Sequence, residues 1–229
     1  MEMMAVNSKN FFVDWYKAHG RDFPWRRERV SPFALLVTEM LLRQTQAMAV
    51  SKLWYEFIEK YPDARTLAQA NKDELFDQLK ILGLGEQRAS ALMAAAGWLV
   101  EHHDGQVPST KKELLQIPHI GAYVSNAMLC FAFGCNIEVV DTNVLRFYAR
   151  YYGLAVKPDI RRNPEVWKIA KLSLPEKIEE VKQHNYGPLD FTAEICRSRM
   201  PQCSVCPLAS SCKWGARQLT LIQENAVDG

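Results

Sequence analysis

The sequence predicts an all-α protein. Apolar residues recur at helical spacing through most of the 229-residue chain, and the strand-like run NIEVV at 136–140 stands alone. Glycine and proline punctuation cuts the helical stretches into roughly ten short pieces. Hydrophobic residues make up 48% of the chain and charged residues 24%, enough to bury a sizeable core. The net charge of +2 attracts no polyanion globally, so any nucleic-acid contact must come from local basic patches and backbone amides. No apolar run is long enough to span a bilayer, and the start, MEMMAVNSKN, lacks a signal-peptide pattern; an intracellular protein is expected.

In chain order, residues 7–18 form a helical stripe with Asn7 or Ser8 as its N-cap. The loop HGRDFPWRRERVSP follows, holding Arg21, Arg26, Arg27 and Arg29. A solvated surface is the common reading of such a run, but Trp25 beside Arg26 offers a ring and a guanidinium that can stack on or bond to a base. A helix over 32–50 carries Glu39 in ALLVTEMLL, where apolar residues occupy nearly every side. An ionised carboxylate is costly there unless partnered. Glu39 is therefore a candidate proton donor or base-contacting acid, with a structural arginine pair an equal alternative. RQTQ ends the apolar stretch, presenting Gln44, an amide able to enter a base stack, and Arg43, a further DNA-contact candidate.

Helices over 52–61 and 72–79 are separated by Pro62 and Asp63. In KILGLGEQRAS, Gly83 and Gly85 open a long helix over 87–103. Amides at that start can bind phosphate, with Gly85 and Gln87 nearest, although a plain turn is commoner. After the break DGQVPST, Ser109 or Thr110 caps KKELLQ. Pro118 then stops the helix, and Gly121 supplies the turn conformation of IPHIG. The amides of Ile120, Gly121 and Ala122 begin a second apolar helix and form a backbone anion site indifferent to base sequence. Asp141 precedes a further helix to about 152, whose N-terminus favours the ionised carboxylate; a simple N-cap is the bland alternative. A loop with Pro158 and Pro164, a helix over 166–172 and another over 188–195 complete the helices.

Of six cysteines, Cys196, Cys203, Cys206 and Cys212 are spaced C-x6-C-x2-C-x5-C. Four thiolates suit a [4Fe-4S] cluster or tetrahedral zinc, and the single close pair favours iron-sulfur, since zinc sites usually use two. Cys130 and Cys135 read as core residues.

Together IPHIGAYVSNAMLCFAFG, VVDTNVLRF, RDFPWR, TEMLLRQT, GLGEQRA and the cysteine spacing resemble the helix-hairpin-helix DNA glycosylase superfamily that includes endonuclease III and the adenine glycosylases. Within it the chain is most similar to the archaeal thymine/uracil mismatch glycosylases. The likeness covers nearly the whole chain. It implies two helical domains, one over 24–133 containing the hairpin (110–133), the other from 1–23 plus 134–229 with a [4Fe-4S] loop at 196–212. A cleft between them would hold a flipped base, Glu39 on one wall and Asp141 on the other. By this resemblance Asp141 stabilises the oxocarbenium-like sugar, Glu39 contacts the base, Tyr123 lines the pocket and Asn143 places Asp141. Gln44 would fill the vacated stack, and Arg146 would lie near the DNA backbone or the cluster.

Superfamily members that also cut the backbone carry a lysine at the position of Tyr123, so tyrosine implies a monofunctional hydrolase. Adenine glycosylases usually have tyrosines after GLG and a C-terminal domain that reads oxidised guanine. Here Glu86 and Gln87 follow GLG, and the chain ends soon after Cys212. The resemblance therefore implies a monomeric, cytoplasmic, nucleoid-associated prokaryotic enzyme that removes thymine or uracil opposite guanine in duplex DNA. Adenine excision opposite guanine or oxidised guanine is the alternative, and a catalytically silent iron-sulfur DNA-binding protein the second. One residue departs from the pattern: His119 stands where the hairpin normally has glycine, which alters the turn or adds a phosphate contact.

Overall fold

The computed structural model describes residues 2–154 and 163–227, with side chains over 10–154 and 163–220. Pro158 lies outside the described residues. Twelve α-helices and no strands occur among those described. In order they are α1 (Glu2–His19), α2 (Pro32–Leu41), α3 (Ala47–Lys60), α4 (Ala64–Ala68), α5 (Lys72–Leu79) and α6 (Gly85–His103). Then come α7 (Lys111–Leu114), α8 (Ala122–Ala127), α9 (Thr142–Tyr152), α10 (Pro164–Leu172), α11 (Val181–Glu194) and α12 (Lys213–Val227). Two compact units result: Asp22–Cys135, and Met1–Arg21 with Asn136–Gly229. Among the described residues no helix is long and apolar enough to cross a membrane.

In the middle unit, Ser31 caps α2 by accepting the Ala34 N–H, and Pro32 occupies its first turn, where a missing N–H costs nothing. Nine of its residues, Phe33 to Leu41, are buried. The Thr38 hydroxyl donates to the Ala34 carbonyl (2.6 Å) and accepts from the Trp54 indole (2.7 Å), joining α2 to α3. Asn71 caps α5 through the amides of Asp73 and Glu74, and Thr110 caps α7 through Glu113. The hairpin's second helix continues beyond α8 as a wider π-type turn, Met128–Ala132.

The terminal unit packs around Phe12, Leu145, Tyr148 and Phe191. A Cβ on Gly187 would stand 2.3 Å from the Phe12 carbonyl oxygen, so α1 and α11 approach as closely as they do only because glycine is there. Asp190, fully buried, accepts from the Arg21 amide (2.9 Å) and side chain (2.7 Å). Burial of the Tyr148 phenol raises its pKa well above the ordinary value, against the lowering effect of its hydrogen bond to Ser173.

Several expected boundaries move. The helix expected over 32–50 breaks after Leu41, and α3 begins at Ala47 rather than near 52. The helix expected from Pro188 starts at Val181 and carries that proline internally. Residues before Pro188 stay helical because His184, Asn185 and Tyr186 are buried in the core. Asn185 also donates to the Ile137 carbonyl (3.0 Å) and accepts the Val139 amide (2.8 Å). The apolar run NIEVV thus finds its hydrogen bonds on a helix side chain instead of a sheet. Asn7 and Ser8 lie within α1, not at its start. Helices α4 and α12 were not expected, and Cys135, expected in the core, is exposed.

Candidate nucleic-acid interface and catalytic carboxylate

Two turns of the middle unit leave right-handed backbone and line one groove. Gln44 takes φ +54° after α2, while Gly83 (φ +75°) and Leu84 (φ +53°) precede α6. Left-handed backbone at a non-glycine residue costs on the order of 1–2 kcal/mol, so something must hold both turns. Arg88 does. Only 8% exposed, its guanidinium donates to the carbonyls of Leu41 (3.0 Å), Arg43 (2.8 Å) and Gly83 (2.8 Å), and to the Thr45 hydroxyl. Burial, then repulsion from Arg43, lowers its pKa from the ordinary value; arginine nonetheless stays charged at neutral pH. The helix expected to run through residues 42–46 stops because these carbonyls turn to a cation on α6.

The groove between the turns has a volume of about 340 Å³ and is lined by Arg43, Gln44, Leu84, Gln87 and His119, among others. Gln44, Gln87, Arg43 and His119 are exposed, and Leu84 shows 52% of its surface. An apolar side chain left in water on strained backbone is the kind of feature that marks a working surface. Leu84 and Arg88 were not singled out in the sequence, although both sit in the GLGEQRA segment that was. Gly85 is buried, and a Cβ there would meet Lys80 Cα at 3.1 Å. The missing side chain serves the close packing of the chain's own turn against Lys80.

The hairpin turn is closed by the Ile120 amide donating to the Ile117 carbonyl at 3.1 Å. Its left-handed residue is His119 (φ +65°), whereas Gly121 is extended (φ −109°, ψ −178°). The turn conformation expected of Gly121 therefore falls on His119. Open space lies where a Gly121 side chain would project, and both Gly121 and Ala122 are exposed. Ile120 is buried and its amide is taken by the Ile117 carbonyl, which corrects the expectation that it belongs to the anion site; the amides of Gly121 and Ala122 remain. Arg43 Nη1 donates to the His119 carbonyl at 3.1 Å, linking the hairpin to the Gln44 turn. Replacing His119 by glycine is expected to raise stability by about 1 kcal/mol, or about 2–4 °C in melting temperature, read by circular dichroism. A lower melting temperature would mean that the imidazole contributes more than the strain costs.

Glu39 lies on α2 at 5% exposure, and half-buried Tyr123 lies on the first turn of α8. Trp25 is only 4% exposed and stacks on Phe23, with centroids 4.6 Å apart and planes 7° apart. Its ring belongs to the core, which corrects the base-stacking expectation. The Arg26 guanidinium sits 5.2 Å over the Phe23 ring.

In the terminal unit Asp141 caps α9. Its Oδ1 accepts the Val144 amide (2.8 Å) and its Oδ2 accepts from Asn143 Nδ2 (2.8 Å). Arg146 donates to Asn143 Oδ1 (3.0 Å) and reaches the Cys196 carbonyl at 3.5 Å. Burial of this guanidinium, then Arg150, lowers its pKa. Capping and chemistry do not compete at Asp141, because each carboxylate oxygen has lone pairs beyond the one bond it accepts. Asp141, Asn143 and Arg146 are thus brought into one hydrogen-bonded line that ends at the cysteine loop.

All four clustered cysteines line one pocket, with Phe147, Phe191 and Leu208 beneath them. The Arg150 guanidinium stands 3.6 Å from Cys196 Sγ and donates to the carbonyls of Arg197 (2.7 Å) and Ser198 (2.8 Å). The Gly215 amide donates to Cys212 Sγ at 3.3 Å. Burial is the leading cause that raises the pKa of Cys203 and Cys212 and pushes Cys206 up to about 11. Among the described residues no three His, Cys, Asp or Glu side chains converge on a point that would hold a single metal ion.

Comparison with known proteins follows the same lines. A family model described as HhH-GPD superfamily base excision DNA repair protein matches residues 37–181. A thymine-DNA glycosylase of Aeropyrum pernix is 34% identical over 202 residues, covering 87% of this chain and 90% of that protein. An adenine DNA glycosylase of Mycolicibacterium smegmatis is 35% identical over 203 residues, covering 88% of this chain but 67% of that protein. The solved structure of a thermostable thymine-DNA glycosylase, 31% identical, has a TM-score of 0.81 and is matched over 92% of this chain and 98% of its own.

Proposed function

The chain belongs to the HhH-GPD superfamily of base excision DNA repair proteins, and from that premise we propose that it is a monofunctional glycosylase removing thymine or uracil opposite guanine in duplex DNA. The observation that carries this reading is Asp141, a carboxylate oriented by Val144 and Asn143 at the start of α9. A base in a duplex must be flipped out before its glycosidic bond can be reached. As that bond breaks, the electron pair leaves with the base and positive charge builds on the sugar, where a fixed carboxylate stabilises it. Water then adds to the sugar carbon, giving an abasic site and the released base. Tyr123 offers no amine to form a Schiff base.

In this reading Glu39 contacts the flipped base, Tyr123 lines its pocket and Asn143 positions Asp141, itself steadied by Arg146. Gln44 and Leu84 enter the duplex as polar and apolar wedges. The exposed amides of Gly121 and Ala122 grip phosphate, joined by Arg43 and Gln87. The partner is duplex DNA holding a mismatched base, bound by a monomer. The cysteines are assigned to a [4Fe-4S] cluster on their spacing, C-x6-C-x2-C-x5-C, which has a single close pair where zinc sites usually use two. When bound, the cluster supplies a covalent tie across loop 196–212.

The test is single-turnover cleavage of duplexes containing G:T, G:U, G:A and oxidised G:A, with alkali added to reveal abasic sites. Release from G:T and G:U is expected, with no adduct trapped by borohydride. Activity confined to the adenine duplexes would replace this reading with adenine excision, which the similarity to the M. smegmatis enzyme makes the second choice.

A further inference from the structure

Resting on the reading of duplex DNA as the partner, we propose that His119 is a phosphate contact that takes up a proton as DNA binds, so that the chain's grip on DNA tightens as pH falls. The hairpin holds His119 in left-handed backbone, φ +65°, which glycine would adopt without strain. A strained residue calls for something its side chain does that a relaxed replacement cannot. The imidazole is exposed, and among the described residues it makes no hydrogen bond, ion pair or ring contact. The bond to Arg43 is made by the His119 carbonyl, at 3.1 Å, and leaves the ring out. The chain has five histidines, and the others are all engaged. His19 lies against Trp15 with ring centroids 4.2 Å apart, and His102 and His103 lie against Trp98 at 4.7 and 5.0 Å. Buried His184 reaches the Ser173 hydroxyl at 3.4 Å. Only at His119 is the ring left for a ligand.

The surroundings of the ring say which ligand that is. His119 lines the groove together with Arg43, from the turn after α2, and Arg88, from α6, and no Asp or Glu is among the lining residues. On the hairpin itself α7 carries Lys111, Lys112 and Glu113, whose carboxylate accepts from the Thr110 hydroxyl, and α8 carries Tyr123. An imidazole that shares its groove with two guanidiniums and no carboxylate is placed to meet an anion from outside. A DNA phosphate is that anion, since the exposed backbone of Gly121 stands two residues on. Imidazoles in general titrate near pH 6.5, and a neighbouring negative charge favours the charged form. The ionic contact is therefore present at low pH and is lost as pH rises past neutrality. Arginine stays charged throughout this range, so Arg43 and Arg88 cannot produce the same dependence.

The experiment measures equilibrium binding of wild type, His119→Asn and His119→Lys to an undamaged duplex at about pH 6 and about pH 8, each over a series of salt concentrations. Asparagine accepts left-handed backbone and does not titrate, whereas lysine is charged at both pH values. Wild type is expected to bind about tenfold more tightly at the lower pH, with a salt slope steeper by about 0.9, the signature of one added phosphate contact. His119→Asn should show neither change and should match wild type at the higher pH. His119→Lys should bind at the higher pH about as tightly as wild type does at the lower one. A pH effect that survives in His119→Asn would assign the proton to another group and overturn the inference. So would a wild type that binds equally at both pH values, in which case the proposed function still stands. A wild type that binds no duplex DNA at either pH would remove that function and this inference together.

Discussion

Asp141→Asn is expected to lower single-turnover excision by at least about 10³-fold, the upper range for removing one preorganised electrostatic group, while leaving DNA binding equal or tighter. The substitution separates the cap that Asp141 makes from the catalytic role proposed for it. Asparagine is as good an N-cap as aspartate, so its carbonyl oxygen can still accept the Val144 amide that Asp141 Oδ1 holds at 2.8 Å. The other oxygen becomes an amino group facing the Asn143 amide that now donates to it at 2.8 Å, and that one bond is lost. If Asp141 faces DNA as proposed, removing its negative charge favours the complex. What disappears is the anion opposite the developing sugar cation. An unchanged excision rate would assign Asp141 to capping alone, and a melting temperature lowered by many degrees would mean that the line through Asn143 and Arg146 is a folding element first. Arg146, two bonds away from the carboxylate, should show a smaller version of the same effect.

What could be foreseen from the sequence was whatever is settled within a few residues. Thr110 caps its helix through the amide three positions on, and Asp141, Asn143 and Arg146 meet because a cap and its first helical turn bring them together. The break at 42–46 could not be foreseen, because its cause is Arg88, more than forty residues away, which takes carbonyls that a continued helix would have used. Trp25 looked like a base-stacking residue beside an arginine; only the fold places Phe23 flat against it. His119 could be recognised as a departure from the hairpin pattern, but that it takes the left-handed position and lends its carbonyl to Arg43 required the turn itself. The opposite case is α11. Proline is a familiar first residue of a helix, yet burial of the preceding turn overrides that local signal at Pro188.

Cys206→Ser is expected to abolish the broad visible absorption of an iron-sulfur protein and to lower the melting temperature by about 10 °C. The size follows from the chain between the first and last cysteines. Between α11 and α12 the only regular structure is a single 3-10 turn, Cys203–Val205, so most of loop 196–212 has no ladder of its own. Arg150 holds one end through the carbonyls of Arg197 and Ser198, and Cys196, Cys206, Leu208 and Cys212 rest against the core of the terminal unit. These contacts anchor the loop at its ends and one face, leaving the middle to the tie that the proposed cluster would make among the thiols. Cross-linking a loop of about 15 residues stabilises by about 3 kcal/mol, which for a chain of this size corresponds to roughly 10 °C. Proteolysis should then cut within 196–212 before it cuts elsewhere. Cys130→Ala is the control: its sulfur is buried in the other unit, so it should lose about 1 kcal/mol to the small cavity and keep the colour. Full colour and iron content in Cys206→Ser would remove Cys206 from the ligand set. Zinc in place of iron in the purified wild type would overturn the cluster assignment while leaving the predicted loss of stability in force, because a zinc ion would tie the same loop.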